Sequence, residues 1–402
     1  MKKTYRKAFS AYGIEAEYMI VEKDTLKVVP IAEKVLTELN SGLLTDEVQI
    51  GQIAWSNELV SHVLEIKCAG PSETLVGLDE VFHESITLVN ELLGRDNCML
   101  LPGAMHPFMD PENETVLWPH GQKDIYSLYN EIFSCKGHGW ANLQSVHINL
   151  PFANEEEFGK LHAAIRAVLP LIPWLAGSSP IVEGKKGTGL NNRLAFYERN
   201  QARIPSIAGQ VIPEPIYTYT KYQDLLKSLY NDISPYDPEG VLAHQWLNSR
   251  GAIVKFDVQA IEIRIMDIQE CPMMDFSLIE FLSCIMKDLF NTEKQDLLRG
   301  IPVEVLREIY EKAKMGEEFE LPALYANLFN SSETNISQFL LGQLNRLKNS
   351  MSLKTNEGID IILQQGNLSK RILSKLEEGL TVNQVYKEMG ISLKENRPFN
   401  KP

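Results

Sequence analysis

The most constraining feature of the chain is a strand design that recurs four times. In "GIEAEYMIV", Gly13 to Val21, the residues Ile14, Ala16, Tyr18 and Ile20 alternate with Glu15 and Glu17. Successive side chains of a strand point to opposite faces, so the two glutamates share one face and the apolar residues the other. In "NELVSHVLEIK" His62, Leu64 and Ile66 oppose Val63, Glu65 and Lys67, and Glu58 stands at the approach to the strand. In "LQSVHINL" Gln144, Val146, Ile148 and Leu150 oppose Ser145, His147 and Asn149, and in "QAIEIRIMD" Ile261, Ile263 and Ile265 oppose Glu262 and Arg264. A single strand of this kind is ordinary in a sheet with one wet face. Four of them predict a sheet with one face packed on helices and the other carrying carboxylates, an imidazole and a guanidinium.

Such a face has a definite chemical use. Carboxylates gathered on one surface repel and hold on to protons unless a divalent cation neutralises them. Oxygen-rich ligation with one histidine suits Mg²⁺ or Mn²⁺, the usual companions of a nucleotide phosphate. Arg264, two residues from Glu262 and on its face, suits a phosphoryl oxygen. The paired carboxylates of a glycosidase would use two of these acids and leave the rest, and the arginine, without a role.

The ordered set "GIEAE", "NELVSHVLEIK", "MHPF", "SVHINL", "AGSSPIVEGKKGTGLNNRLAFY" and "AIEIRIMDI", from about Gly13 to Asp267, resembles the glutamate–cysteine ligase family, specifically the bacterial carboxylate–amine ligases of its second class. The resemblance implies an α+β fold: a curved antiparallel sheet of the glutamine synthetase and guanidino kinase kind, backed by helices. It implies ATP-dependent activation of the γ-carboxylate of glutamate, or a similar acid, as an acyl phosphate that an amine attacks. It implies Glu15, Glu17, Glu58, Glu65, His147 and Glu262 as ligands of Mg²⁺ (or Mn²⁺), with Arg264 on the γ-phosphate and no general base, since positioning and charge neutralisation carry phosphoryl transfer. Glu58 stands where many members have aspartate. The same face leaves open glutamine synthetase-like or guanidino kinase-like phosphoryl transfer and a metal-dependent hydrolase.

The region Ser178 to Pro215, rich in Gly, Pro, Asn and Arg, reads as a long functional loop. Arg193 and Arg199 are its candidate substrate-binding residues, for the α-carboxylate of the amino-acid substrate; a solvated basic loop is the rival reading, favoured for Lys185 and Lys186. "GKKGTG" lacks the spacing of a phosphate-binding P-loop. His106 borders the site or is structural, Cys135 and His138 are too isolated for a zinc site, and Trp140 and Trp246 read as packing residues.

Composition sets the outer limits. The chain has 402 residues, 44% apolar and 23% charged, enough for a sizeable core. Lys and Arg total 39 against 53 Asp and Glu, a net charge of −14, which argues against nucleic-acid or anionic-membrane partners and leaves small-molecule substrates, with homo-oligomerisation open. Five scattered cysteines without a CxxC pair indicate neither a disulfide framework nor a thiolate zinc site, so a cytoplasmic location is expected. The basic "MKKTYRKAF" runs into the first strand without the apolar core of a signal peptide, and no apolar run is long enough for a membrane span. Alternating strands and helices up to residue 271 predict a catalytic core. From Pro272 the spacing is helical throughout, predicting a second, mainly helical region 272–402 packed on that core. "VEKDTLKVVP" reads as a turn leading to a second strand, and "LTVNQVYKEMGIS" as a packed helix rather than a DNA reader.

Overall fold

Nearly every strand of the chain joins one antiparallel sheet, and the glutamate-bearing strand β1 (Gly13–Glu22) lies inside it. The structure, a computed structural model, describes residues 5–399. The further strands are β2 (Glu47–Ile50), β3 (Ile53–Asn57), β4 (Val63–Cys68), β5 (Cys98–Leu101), β6 (Ser145–Pro151), the short hairpin β7 (Ile181–Val182) and β8 (Lys185–Lys186), β9 (Ala252–Lys255) and β10 (Ala260–Asp267). The sheet runs β2-β3-β4-β1-β6-β10-β9, with β5 beside the second half of β1. This is the α+β antiparallel architecture expected from the strand faces, with helices behind it.

The alternation read from the sequence decides which face is sealed. Ile14, Ala16, Tyr18, Ile20, Leu64, Ile66, Val146, Ile148, Leu150, Ile261 and Ile263 are buried in one hydrophobic cluster. Into it pack the helices Leu78–Gly94, Glu155–Val168 and Pro272–Phe290. The first presents Leu78, Phe82, Ile86, Val89 and Leu93 at helical spacing. The second is started by Asn154, whose side chain accepts from Glu157 N, and three glutamates in its first turn complement the helix dipole. Pro170 and Pro173 then break it into a 3₁₀ turn, Leu169–Leu171, and a short helix, Ile172–Ala176.

A smaller cluster lies beyond the acidic row. Met19, Val21, Val63 and Leu101 pack with Leu368, Ile372, Val385, Tyr386 and Met389 of the helices Leu368–Glu377 and Val382–Glu395. The latter opens on a capping box between Thr381 and Gln384, and it is a packed helix. The strand expected after "VEKDTLKVVP" does not form: the chain returns for one bridge, Val21 to Val28, and then enters the helix Ala32–Leu39, because Pro30 has no N–H with which to continue a ladder. Instead β2 and β3, a hairpin of two short strands, extend the sheet. The loop Ser178 to Pro215 is also less irregular than expected, holding the β7–β8 hairpin and the helix Asn192–Tyr197, capped by the Asn191 side chain.

Three buried histidines make the fold sensitive to acid. Burial lowers His62 and His106 to about 4, and burial beside Arg166 lowers His162 to about 3, from an ordinary 6.5. A folded-state value below the unfolded one means that the folded protein binds fewer protons, so the stability present above pH 6.5 is lost as pH falls. Each histidine costs about 2 kcal/mol at pH 5. Buried Asp275, whose pKa is raised by burial, pulls the other way, so the informative measurement is a difference. His162→Phe, placed among Phe158, Tyr217 and Tyr222, is expected to flatten unfolding free energy against pH between 6.5 and 4 by about one proton. A slope unchanged from wild type in denaturant titrations would refute this.

Candidate active site

The sheet register turns spacing along the chain into neighbours across it. Glu15 lies opposite Lys67 on β4 and opposite His147 on β6; Glu17 lies opposite Glu65 on β4; Glu262 on β10 lies opposite Asn149 on β6. Residues directly opposite share a face, so five of the acids and bases read from separate segments form one continuous row. Gly13 permits the close approach at its start, since a Cβ there would stand 3.1 Å from Asn149 Cβ.

Hydrogen bonds fix the row. His147 Nδ1 lies 3.2 Å from Glu15 Oε2, and Asn149 Nδ2 donates to Glu15 Oε1 at 3.0 Å. Ser145 donates to Glu17 Oε2 from its backbone N at 2.8 Å and its hydroxyl at 2.9 Å. Glu65 Oε1 accepts from Ser56 Oγ at 2.9 Å and Lys67 Nζ at 3.0 Å. Arg264 places both Nε, at 3.1 Å, and Nη2, at 2.9 Å, on a single oxygen, Glu262 Oε1. Glu262 Oε2 is buried and has no well-oriented hydrogen-bond donor; the Lys255 ammonium touches it, which is a charge contact. Lys255 Nζ also lies 3.8 Å from Glu15 Oε1.

One oxygen each from Glu15 and Glu262 and one ring nitrogen of His147 lie within 4.8 Å of one another, the one such group of possible metal ligands among the described residues. Two carboxylates and an imidazole, with a buried carboxylate oxygen lacking a donor, fit a hard divalent cation. Glu17, Glu58 and Glu65 stand beside this group as a second acidic set.

The electrostatics divide the row in the same way. Burial opposes ionisation of Glu15, but the His147 hydrogen bond and the Lys255 charge outweigh it and hold Glu15 at about 2. Burial likewise opposes ionisation of Glu262, and Arg264 and His147 override it and lower its pKa. Burial works against a charge on His147, yet the Glu15 hydrogen bond and the Glu262 charge raise its pKa. Glu58 is pushed well above the carboxylate range by burial and then by Glu65 and Glu17, and Glu65 is raised by burial and by Glu15. This second set is short of positive charge, which a cation would supply.

Two cavities share the row. One, of about 280 Å³, has Glu17, Glu58, His147 and Arg264 at its base and an aromatic wall of Tyr126, Tyr129, Trp140, Tyr197 and Trp246. The other, of about 560 Å³, is bordered by Glu15, Asn149 and Lys255 together with Tyr5, Arg6 and Asp257. The two tryptophans, read as packing residues, both pack against Tyr129 and face the first cavity.

The loop arginines part company. Arg193 borders the first cavity but is buried, with Nη1 3.2 Å from Asp267 Oδ1 and Nη2 donating at 2.8 Å to the Arg264 carbonyl. It braces the bulge where the β6–β10 register shifts between Ile263 and Met266, and so aims Arg264. Its Nε has no partner. Arg199 is exposed, bonds to Ala195 O of the helix that precedes it, and lines neither cavity. His106 is buried against Leu26 O at 2.6 Å, away from both cavities, and Cys135 and His138 belong to no ligand group among the described residues. Lys255 escaped sequence reading; in "AIVK" it ends a short apolar run, and only the pairing of Glu262 with Ile253 puts it on the acidic face.

An antiparallel sheet thus carries an acidic, cation-fitting face bordered by two cavities. The model of the glutamate–cysteine ligase family 2 matches residues 11–314, and the chain belongs to that family. It is therefore an ATP-dependent ligase that forms C–N bonds, of the carboxylate–amine type. An uncharacterized protein of Archaeoglobus fulgidus is 34% identical over 367 residues, covering 91% of this chain and 93% of its own. Among solved structures, a glutamate–cysteine ligase from Francisella tularensis, in complex with AMP, is similar with a TM-score of 0.63 at 12% identity, covering 100% of this chain and 91% of that one. A bifunctional glutathione synthetase from Pasteurella multocida is similar with a TM-score of 0.62 at 14% identity; 97% of this chain matches about half of that one, 52%. These two show a shared fold. No helix among the described residues is long and apolar enough to cross a membrane.

Two outcomes follow from the geometry. Mn²⁺ at a hundredfold over its dissociation constant is expected to stabilise the protein by about 2.7 kcal/mol. That shift in thermal unfolding should vanish in Glu262→Gln and in His147→Ala, and its persistence in both would place the ion elsewhere. Arg193→Ala leaves Asp267 as an uncompensated buried charge and should cost about 3–5 kcal/mol in denaturant titrations at neutral pH; a loss below about 1 kcal/mol would contradict the bracing role.

Proposed function

We propose that the protein uses Mg·ATP to activate the γ-carboxylate of glutamate, or a similar acid, as an acyl phosphate and joins it to an organic amine. The observation that carries this reading is the row of carboxylates shared by two cavities, with Arg264 facing one and Lys255 the other. A nucleotide in the larger cavity brings its terminal phosphate over Glu15, His147 and Glu262. The acid substrate lies in the smaller cavity over Glu17, Glu58 and Glu65.

The divalent ions, when bound, neutralise the carboxylates and the phosphate charge. The chain's own residues do the rest. Arg264, anchored on Glu262 Oε1, offers its guanidinium to the phosphoryl group in flight. A substrate carboxylate oxygen bonds to the γ-phosphorus as the bond to ADP breaks. The amine nitrogen then bonds to the acyl carbon, phosphate leaves, and the nitrogen gives up a proton. Arg193, which borders the smaller cavity, is the loop arginine near enough for the acid's α-carboxylate; Arg199 is placed too far out for that part. The aromatic wall favours an organic amine over ammonia, because its rings offer apolar surface against which a carbon frame packs and ammonia has none.

A screen of amines in the presence of glutamate, Mg²⁺ and ATP tests this. Amide, ADP and phosphate should appear in equal amounts when acid and a fitting amine are present together, and product mass should equal the sum of acid and amine less water. Arg264→Ala should lower kcat by about 10²–10³ while leaving the fold intact. Full turnover in that variant would remove the phosphate role, and hydrolysis of an ester or amide without ATP would replace the ligase reading with a hydrolase.

A further inference from the structure

Lys255 stands between the cation-fitting group and the nucleotide cavity. It ends β9, the outermost strand on its side of the sheet, and by register shares the face of Glu262. Its ammonium contacts Glu262 Oε2 and lies 3.8 Å from Glu15 Oε1, oxygens of two of the three residues in the cation-fitting group. Glu262 is 1% exposed, and Lys255 is 28% exposed. A buried carboxylate with no counter-charge is costly, and while no ion is present the Lys255 ammonium adds its charge to those of Arg264 and His147 against these two acids.

Lys255 is also held differently from Lys67, the other lysine on this face. Lys67 has three anchors away from the ion group: Glu65 at 3.0 Å, Glu47 at 2.8 Å and Ser56 Oγ at 3.0 Å. Lys255 has only Glu262 and Glu15. An ammonium and a divalent cation cannot occupy the same oxygens, so whatever binds the ion dismisses Lys255. The space open to it is the larger cavity, which it already lines with Glu15 and Arg6.

We propose that Lys255 is an exchangeable counter-ion: its ammonium neutralises Glu262 and Glu15 until a divalent cation takes their oxygens, and then pairs with the phosphate chain of the nucleotide in the adjoining cavity. This rests on the ligase reading for the nucleotide and on the sheet geometry for the exchange. It makes Lys255 compete with the ion and assist the nucleotide, two effects of opposite sign from one side chain. A purely structural lysine gives no such pair.

The full-length protein with Lys255→Met is the test, with MnCl₂ alone as the first probe and ADP in saturating Mn²⁺ as the second, both by calorimetry. Mn²⁺ should bind on the order of tenfold more tightly than to wild type, and ADP more weakly by a similar factor. Lys255→Arg, which keeps the charge, should restore most of the ADP affinity. Circular dichroism checks the fold, and Lys255→Gln repeats both titrations if the methionine variant fails to fold. Unchanged or weaker Mn²⁺ binding overturns the exchange, and unchanged ADP binding overturns the phosphate contact. If wild type binds Mn²⁺ but no ADP, the ligase reading itself falls; if wild type binds both and the variants match it, only the role of Lys255 falls.

Discussion

The structure depends on the repulsion among carboxylates that the sheet will not let separate. β1 is flanked by β4 and β6, and its back face is sealed by Ile14, Ala16, Tyr18 and Ile20. A one-residue slip would carry those residues to the wet face and the glutamates into the core, so the register is held by the hydrophobic effect. Glu17 and Glu65 are thereby fixed opposite one another, an arrangement that like charges disfavour. The stability of the apolar face thus holds the acidic face in a state that only cations relieve. Lys67, Lys255, His147 and Arg264 relieve it in part, and the raised pKa values of Glu58 and Glu65 mark what they leave uncompensated.

Aiming the one arginine over this row takes more than a strand. β10 alternates regularly up to Ile263 and then bulges, and the Arg193 side chain fills the bulge by donating to the carbonyls of Arg264 and Ile265. Asp267 balances Arg193, while burial keeps Asp267 near 6 despite that partner. Asp267 in turn accepts from Ser178 N and Ser179 Oγ, tying the bulge to the start of the glycine-rich loop. Loop, bulge and arginine therefore form one braced unit, in which movement of any part re-aims the guanidinium.

The sheet and the acids on it were legible because period-2 patterning is a local signal. Glu15, Glu17, Glu65, His147 and Glu262 can be placed on faces from their neighbours alone, and the register then brings them together. What escaped depends on long-range geometry. Lys255 sits in a four-residue strand whose face is set only by its partner on β10. The β2–β3 hairpin consists of strands of four and five residues, too short for their pattern to stand out in the sequence. The aromatic wall draws Tyr126 and Tyr129 from one helix, Tyr197 from another and Trp246 from a 3₁₀ turn, with no spacing in common. Arg193 was legible as a basic residue of a functional loop, but its burial was not, since nothing local marks Asp267 as its distant partner.

The aromatic wall bears on the hardest demand of the proposed chemistry. An acyl phosphate in water meets that water far more often than any amine, so a ligase of this kind must favour the amine by exclusion. The wall residues are suited to this: Tyr129 and Trp140 contact each other and Phe133 with ring centroids 5.4–5.9 Å apart, and burial keeps the Tyr129 hydroxyl protonated by raising its pKa. Such a wall offers apolar ring surface and the neutral hydroxyls of Tyr126 and Tyr129. An amine that fills the cavity completes the exclusion itself, whereas a smaller one leaves room for the competing water. Selectivity among amines in this reaction is therefore tied to coupling between ATP use and amide formation, and an ill-fitting amine would be betrayed by ADP release without product.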